Sequence, residues 1–325
     1  MAKRARVLYL PSPRSTMPPH FDRAVVREVG ARHDLRIFDH TAVLEPQFRE
    51  IDVVVDLGGS VGTREMLHAA RSAKLWQVLG MGLDHFDLQY WKSQGMPVAN
   101  CPGPLSAVAL AESALMFMLM LARNYPLASA NAHRERWYEP FGLELHGRTL
   151  GLVGFGASAR ELALRARAFG MRIQAVDLNP VSDLEAASYG IQSVGSPSHL
   201  DEMVPQVDFI SLHLPLDANT RHIMDARRLS LLAPSACVIN VARGALIDED
   251  ALVQALRQGK IAGAGLDVFS NEPLDPTAEL LGLPNVVITP HIAGGTDGTA
   301  LRRASLAAEN CDRIAHGMEP LHRVA

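Results

Sequence analysis

Residues 149–177 read TLGLVGFGASARELALRARAFGMRIQAVD, and this stretch decides the fold. An apolar run over 149–153 gives way to Gly154-Phe155-Gly156-Ala157-Ser158-Ala159. A helical pattern over 158–169 follows, and a second apolar run over 172–176 ends in Asp177. Strand, glycine turn, helix, strand and acid in this order form the pattern that receives a dinucleotide. Gly154 permits the tight turn, Gly156 lets the backbone approach a pyrophosphate, and the small Ala159 allows close helix–strand contact. Free N–H groups around Ser158 and Ala159 would meet the anion with the favourable end of the helix dipole. Asp177 is spaced to accept hydrogen bonds from ribose hydroxyls and to repel a 2′-phosphate. Leu178-Asn179-Pro180 supplies no arginine to offset that repulsion, which favours NAD over NADP. A glycine turn without this context would read equally well as a structural βα turn.

Working outward, short apolar runs at 7–10, 35–38, 51–57, 75–79 and 97–99 alternate with helical patterns at 21–29, 63–70 and 88–93. A long helix is expected over 105–123, with Pro126 ending it, and 125–145 reads as an irregular segment rich in charged and aromatic residues. Beyond residue 177, strands are expected at 209–212, 237–240, 263–266 and 286–289. Helices are expected at 226–232, 249–258 and 299–316. Alternation of this kind implies parallel sheets with crossover helices. With 325 residues the chain is expected to form two α/β domains, each with its own doubly wound parallel sheet.

Composition narrows the function classes. The net charge is −4, and the basic residues are scattered rather than gathered into a stripe, so no nucleic-acid partner is expected. Three dispersed cysteines, Cys101, Cys237 and Cys311, lack metal-binding spacing; reduced thiols of a cytoplasmic protein and no metal are expected. The apolar stretch 107–122 is interrupted by Glu112 and shorter than a membrane span of about 20 residues, so it reads as a core helix and no membrane partner is expected.

Three further segments carry chemistry at expected strand ends: Asn240-Val241-Ala242-Arg243-Gly244, Asp267 through Pro273, and Thr289-Pro290-His291-Ile292-Ala293-Gly294-Gly295. Carboxyl ends of strands are where open α/β sheets bind ligands. A guanidinium at Arg243 can clamp a carboxylate or polarise a carbonyl. An imidazole at His291 can give a proton to a developing alkoxide, and a carboxylate at Glu272 can favour its protonated form. Singly, each has a bland explanation as a surface arginine, a turn cap and a loop histidine. Their joint placement after successive strands points to hydride transfer to a ketone.

Five stretches, 149–156 (TLGLVGFG), 211–221 (SLHLPLDANTR), 238–248 (VINVARGALID), 265–273 (GLDVFSNEP) and 289–295 (TPHIAGG), resemble the D-isomer-specific 2-hydroxyacid dehydrogenase family. The resemblance implies that Arg243 holds the substrate's carboxylate and keto oxygen, and that His291, paired with Glu272, is the general acid/base. It implies cofactor contacts at Gly154, Gly156, Ser158, Ala159, Asp177, His213, Pro215, Thr220, Val241, Asp267 and Gly294. Gly80-Met81-Gly82-Leu83-Asp84 looks like the family's substrate loop, with Met81 and Gly82 at the positions whose amides bind the carboxylate. Residues 98–112 resemble the segment entering an interdomain helix. The implied architecture is a Rossmann NAD-binding domain, 101–294, inserted into a flavodoxin-like substrate domain, 1–100 plus 295–325, with catalysis in the cleft. Two departures stand out: Ala157 replaces a frequent arginine and Ala159 the third glycine, so weaker pyrophosphate binding is expected unless Arg160 compensates.

The implied substrate is a small D-2-hydroxy acid or 2-keto acid of glyoxylate/hydroxypyruvate or phosphoglycerate type. Arg14 and Arg64 are the arginines near expected strand ends that a phosphate could use, though both read better as surface residues. The segment 134–141 is either a homodimer contact or an ordinary surface loop. The alternative function is an NAD(H)-sensing protein like the corepressors built on this fold, which turnover on a keto acid would separate from the enzyme.

Overall fold

The computed structural model describes residues 3–12, 19–58, 62–84, 86–191 and 193–325. The chain divides into two compact units, Met1–Leu105 with Gly295–Ala325, and Ser106–Gly294. Each carries one all-parallel sheet, so the expected pair of doubly wound α/β sheets is found.

In the first unit the strands are β1 (Arg6–Leu10), β2 (Asp34–Ile37), β3 (Val53–Asp56), β4 (Leu75–Val78) and β5 (Val98–Ala99), in the order β2-β1-β3-β4-β5. This is the flavodoxin-like order, which reverses direction between β1 and β3. Every residue of β3 and β4 is buried, as expected of strands covered on both faces. On one face the helix Asp297–Ala315 packs beside the helix Pro19–Glu28, through Ala300, Ala304, Ala307, Ala308 and Cys311. Their small side chains let the helix lie close to the sheet. The opposite face is filled by Trp76, Phe86 and Trp91, with Phe86 and Trp91 ring centroids 4.6 Å apart. The buried Asn310 amide donates to Gln77 Oε1 at 2.6 Å and accepts from Leu321 N at 2.7 Å, tying the last helix and the tail to β4.

In the second unit the strands are β6 (Thr149–Val153), β7 (Arg172–Val176), β8 (Val194–Gly195), β9 (Phe209–Leu212), β10 (Cys237–Asn240), β11 (Gly263–Leu266) and β12 (Val286–Ile288). Their order, β12-β11-β10-β9-β6-β7-β8, reverses between β6 and β9. Such a reversal opens a crevice at the carboxyl ends of the two strands, the usual place for a dinucleotide. The helix Ala107–Ala122 buries Ala111, Ala114, Phe117 and Met118 in the core of this unit. Among the described residues, no single helix is long and apolar enough to cross a membrane.

Two expectations differ from the structure. Pro126 does not leave an irregular segment behind it; it occupies the first turn of a further helix, Tyr125–His133, after Asn124 turns the chain with φ 46°. A proline lacks only an N–H that the first turn does not use. Residues 178–208, for which no element is expected, form the helix Asp183–Ser188 and the two-residue strand β8. A strand that short has too little alternation to be read. Cys101, Cys237 and Cys311 are all free and buried.

Candidate active site

The glycine turn between β6 and the helix Ala157–Ala168 is built from two glycines with different duties. Gly154 has φ +88°, and a Cβ there would stand 2.6 Å from the His213 carbonyl oxygen, so only glycine fits. Gly156 is the N-cap of the helix with no side-chain cap, and a Cβ there would meet nothing within 4 Å. Its missing side chain is therefore not required by the protein's own packing. The open space over uncapped helix N–H groups fits a pyrophosphate. Ala159 is fully buried against the sheet, so a small third residue serves as the glycine would. Asp177 follows β7, and its Oδ2 accepts from Phe155 N at 2.6 Å while Oδ1 accepts from Asn179 N at 2.7 Å. It thus fixes the turn as well as offering its remaining lone pairs outward. Arg160 does not supply the missing cation. Its Nε donates to the Phe155 carbonyl at 2.9 Å, and its guanidinium pairs with Glu185 at 2.5 Å.

His213 follows β9 across the crevice. Its Nδ1 lies 2.9 Å from Ser158 Oγ and its Nε2 2.9 Å from Ser211 Oγ. Desolvation pushes its pKa down to about 4, so the ring is neutral near pH 7 and bridges two hydroxyls rather than offering a charge to a phosphate. Further along this loop the Thr220 hydroxyl donates to the Pro215 carbonyl at 2.8 Å, so both residues close a local turn.

Arg243, Glu272 and His291 stand on loops at the carboxyl ends of β10, β11 and β12. The buried Asn240 sets the first loop: its Nδ2 donates to the Arg243 carbonyl at 2.8 Å and its Oδ1 accepts from Ala242 N at 3.1 Å. Gly244 lets that loop touch the next, since a Cβ there would stand 1.9 Å from the Phe269 carbonyl carbon. On the second loop Glu272 Oε1 accepts from Phe269 N at 2.9 Å, which aims Oε2 at His291 Nδ1, 2.6 Å away. His291 has φ 54°, and its N–H donates to the Asp267 carbonyl at 2.8 Å. The hydrogen bond that His291 Nδ1 donates to Glu272 raises the His291 pKa above its ordinary value, against the opposing effects of burial and of the Arg243 charge. Glu272 holds Nδ1, and no hydrogen-bond partner of Nε2 exists among the described residues. The result is an imidazole ring whose protonated form is favoured and whose Nε2 is left to a ligand.

Asp267 proves to be the anchor of the third loop. It is 1 % exposed, and it accepts from Thr289 Oγ1 at 2.6 Å, Ile292 N at 2.8 Å and Ala293 N at 2.8 Å. Burial nevertheless raises its pKa above the usual carboxylate value. Val241 is buried in the core, leaving only its backbone for a ligand, and Gly294 is the last residue of this unit. Asn240, Ser158 as the partner of His213, and the anchoring by Asp267 were not legible as such: sequence spacing carries no sign of side-chain-to-loop hydrogen bonds.

In the first unit, the loop after β4 carries Met81 and Gly82. Asn100 Nδ2 donates to the Met81 carbonyl at 2.8 Å, and Cys101 N to the Gly80 carbonyl at 3.0 Å. The Met81 and Gly82 N–H groups have no partner among the described residues. Arg64 pairs with Asp87 and lies 4.2 Å over the Tyr90 ring. Arg14 lies outside the described residues.

Comparison with known proteins agrees with this geometry. Residues 115–293 match the family described as D-isomer specific 2-hydroxyacid dehydrogenase, NAD binding domain. The chain is 36% identical to a D-3-phosphoglycerate dehydrogenase of Methanocaldococcus jannaschii over 93% of its own length, and spans 57% of that relative. It is 40% identical to a hydroxypyruvate reductase of Thermotoga maritima, over 79% of this chain and 82% of the relative. Among solved structures it resembles an NADPH-dependent glyoxylate/hydroxypyruvate reductase of Sinorhizobium meliloti in complex with NADP and malonate. That similarity has a TM-score of 0.80 at 30% identity, covering 99% of this chain and 97% of the other. With the glycine turn and the Arg–Glu–His loops carried on one reversed parallel sheet, the chain belongs to the D-isomer specific 2-hydroxyacid dehydrogenase family.

Proposed function

We propose that this chain interconverts a small 2-keto acid and the corresponding D-2-hydroxy acid with NAD(H), and that Arg243, Glu272 and His291 act on the substrate. The observation that carries this reading is the 2.6 Å pairing of His291 Nδ1 with Glu272, on the same sheet whose β6 end carries the glycine turn. When bound, the nicotinamide supplies or accepts the hydride. His291 gives a proton from Nε2 to the keto oxygen during reduction and takes it back during oxidation. Glu272 keeps the ring oriented and its protonated form favoured. Arg243 polarises the keto oxygen, and the unpartnered Met81 and Gly82 amides of the first unit suit a carboxylate. In this reading residues 101–294 are the nucleotide domain, and 1–100 with 295–325 the substrate domain.

Asp177 supports NAD over NADP, because its charge opposes a 2′-phosphate. Since the Sinorhizobium meliloti relative is NADPH-dependent, the preference is tested by comparing NADH and NADPH directly. The buried, free cysteines fit a reducing cytoplasm. Trp137, Tyr138 and Phe141 are 69 %, 100 % and 96 % exposed, which supports a homodimer contact at 134–141; a monomeric mass in solution refutes it. The relatives named above are dehydrogenases and reductases, and nothing in the fold favours the corepressor-like alternative over them.

The test is a screen of NADH oxidation over glyoxylate, hydroxypyruvate, pyruvate, phosphohydroxypyruvate and branched 2-keto acids. Robust turnover on at least one is expected. NADH binding without turnover on any of them refutes the proposed activity.

A further inference from the structure

Ser211 is an unusual residue for its strand. All four positions of β9 are buried in the middle of the seven-stranded sheet, between β6 and β10, where apolar side chains are the rule. Ser211 is fully buried, and the one hydrogen-bond partner of its hydroxyl among the described residues is His213 Nε2, at 2.9 Å. His213 lies two residues on, and its N–H still donates to the Val153 carbonyl of β6 at 2.8 Å. The chain is thus extended there, and the two side chains share a face of the sheet.

That pairing decides where the ring holds its proton. A hydroxyl has one hydrogen to donate, and a buried donor left without an acceptor is costly. Ser211 can give its hydrogen only to Nε2, which is therefore the bare nitrogen. Desolvation pushes the His213 pKa down to about 4, so the ring is neutral and its single proton sits on Nδ1. Nδ1 faces Ser158 Oγ at 2.9 Å, so there the ring donates and Ser158 accepts. The hydrogen of Ser158 is then left over. In the other tautomer Nδ1 would accept it and use it up. Ser158 Oγ has no other partner among the described residues, and Ser158 is only partly buried. It stands in the first turn of the helix Ala157–Ala168, two residues after Gly156 and its open space. That turn holds no spare cation among the described residues, because Ala157 is uncharged and Arg160 pairs with Glu185.

We propose that Ser211 and His213 are positioning residues that fix one ring tautomer and so keep the Ser158 hydroxyl as a donor to the dinucleotide's pyrophosphate, in place of a cation. The assignment rests on the dinucleotide site of the function proposed above and is independent of which acid is reduced. A hydrogen bond to a charged acceptor is stronger than one between neutral groups, so a single oriented hydroxyl is worth holding in this way.

Two measurements test it. Long-range proton–nitrogen NMR of the histidine rings in the apo protein distinguishes Nδ1–H from Nε2–H, the His213 signals being those lost in His213→Gln. The Nδ1–H form is expected in the wild type, and the Nε2–H form overturns the proposal. Calorimetric titration with ADP-ribose then reads the pyrophosphate contact without any substrate. Ser158→Ala should weaken ADP-ribose roughly 10- to 150-fold, the worth of a hydrogen bond to a charged group, and Ser158→Thr, which keeps the hydroxyl, should recover most of that loss. Ser211→Ala removes a side chain that is fully buried, yet it frees the ring to take the other tautomer. The Nε2–H signal should then appear, and ADP-ribose should weaken by at most the same factor. Adding Ser211→Ala to Ser158→Ala should cost nothing further, because the hydroxyl it orients is already gone. Unchanged ADP-ribose affinity in Ser158→Ala or in Ser211→Ala, or losses that simply add in the double variant, overturns the relay. Absence of keto-acid turnover refutes only the activity proposed above, whereas absence of ADP-ribose binding by the wild type overturns this assignment.

Discussion

Replacing Gly154 and Gly156 by alanine, one at a time, separates what the turn needs for folding from what it leaves for a ligand. At Gly154 the backbone sits at φ +88°, where an L side chain costs about 1–2 kcal/mol. The added Cβ would also stand 2.6 Å from the His213 carbonyl oxygen and 2.8 Å from the Leu214 side chain. Forcing those apart costs a further ~1–3 kcal/mol, for about 2–5 kcal/mol in all. In a unit of this size that corresponds to a fall in Tm of roughly 4–20 °C. At Gly156 φ is −79° and a Cβ meets nothing within 4 Å, so the apo protein should unfold at the wild-type temperature. The same methyl would occupy the space over the helix N-terminus. If a pyrophosphate uses that space, an overpacking penalty of ~1–3 kcal/mol falls on binding alone, weakening NADH by roughly 5- to 150-fold. Differential scanning calorimetry of the apo proteins and fluorescence titration with NADH read the two effects separately. Wild-type NADH affinity in Gly156→Ala, or a Tm loss there as large as in Gly154→Ala, would refute the assignment of that space.

Gly244→Ala should break the active site by geometry. Its Cβ would stand 1.9 Å from the Phe269 carbonyl carbon and 2.4 Å from Ser270 N, so the loops bearing Arg243 and Glu272 must separate by more than an ångström. A displacement of that size corresponds to about 100-fold or more in kcat/KM, with NADH titration little changed; near-normal turnover would contradict it. Glu272→Gln should move the pH dependence of reduction. Reduction needs the protonated ring, so kcat/KM falls as pH rises through the His291 pKa. Glu272 raises that pKa, so the fall should shift to lower pH in the variant, and an unshifted limb would count against the pairing.

The parts of the molecule that announce themselves in sequence are those whose physics is local. The βαβ pattern around Gly154 and Asp177 was legible because turn, period and spacing are each written in consecutive residues. The placement of Arg243, Glu272 and His291 on loops after β10, β11 and β12 was legible because each segment follows an apolar run in sequence. Pro126 misled because proline is tolerated in the first turn of a helix yet disfavoured beyond it, and the residues alone do not say which applies. Asn240 and the anchoring of the last loop by Asp267 depend on side chains meeting backbone across a fold, which periodicity does not encode.

In the proposed reaction His291 moves the proton of a hydride transfer that yields a D-2-hydroxy acid. That role is tested most directly by measuring NADH-driven reduction of the best 2-keto acid by the wild type and by His291→Ala, together with product chirality and NADH affinity. The wild type should yield a D product, and the variant should lose roughly 10²- to 10⁴-fold in kcat/KM with NADH binding unchanged. An L product, or near-normal turnover in His291→Ala, would contradict it.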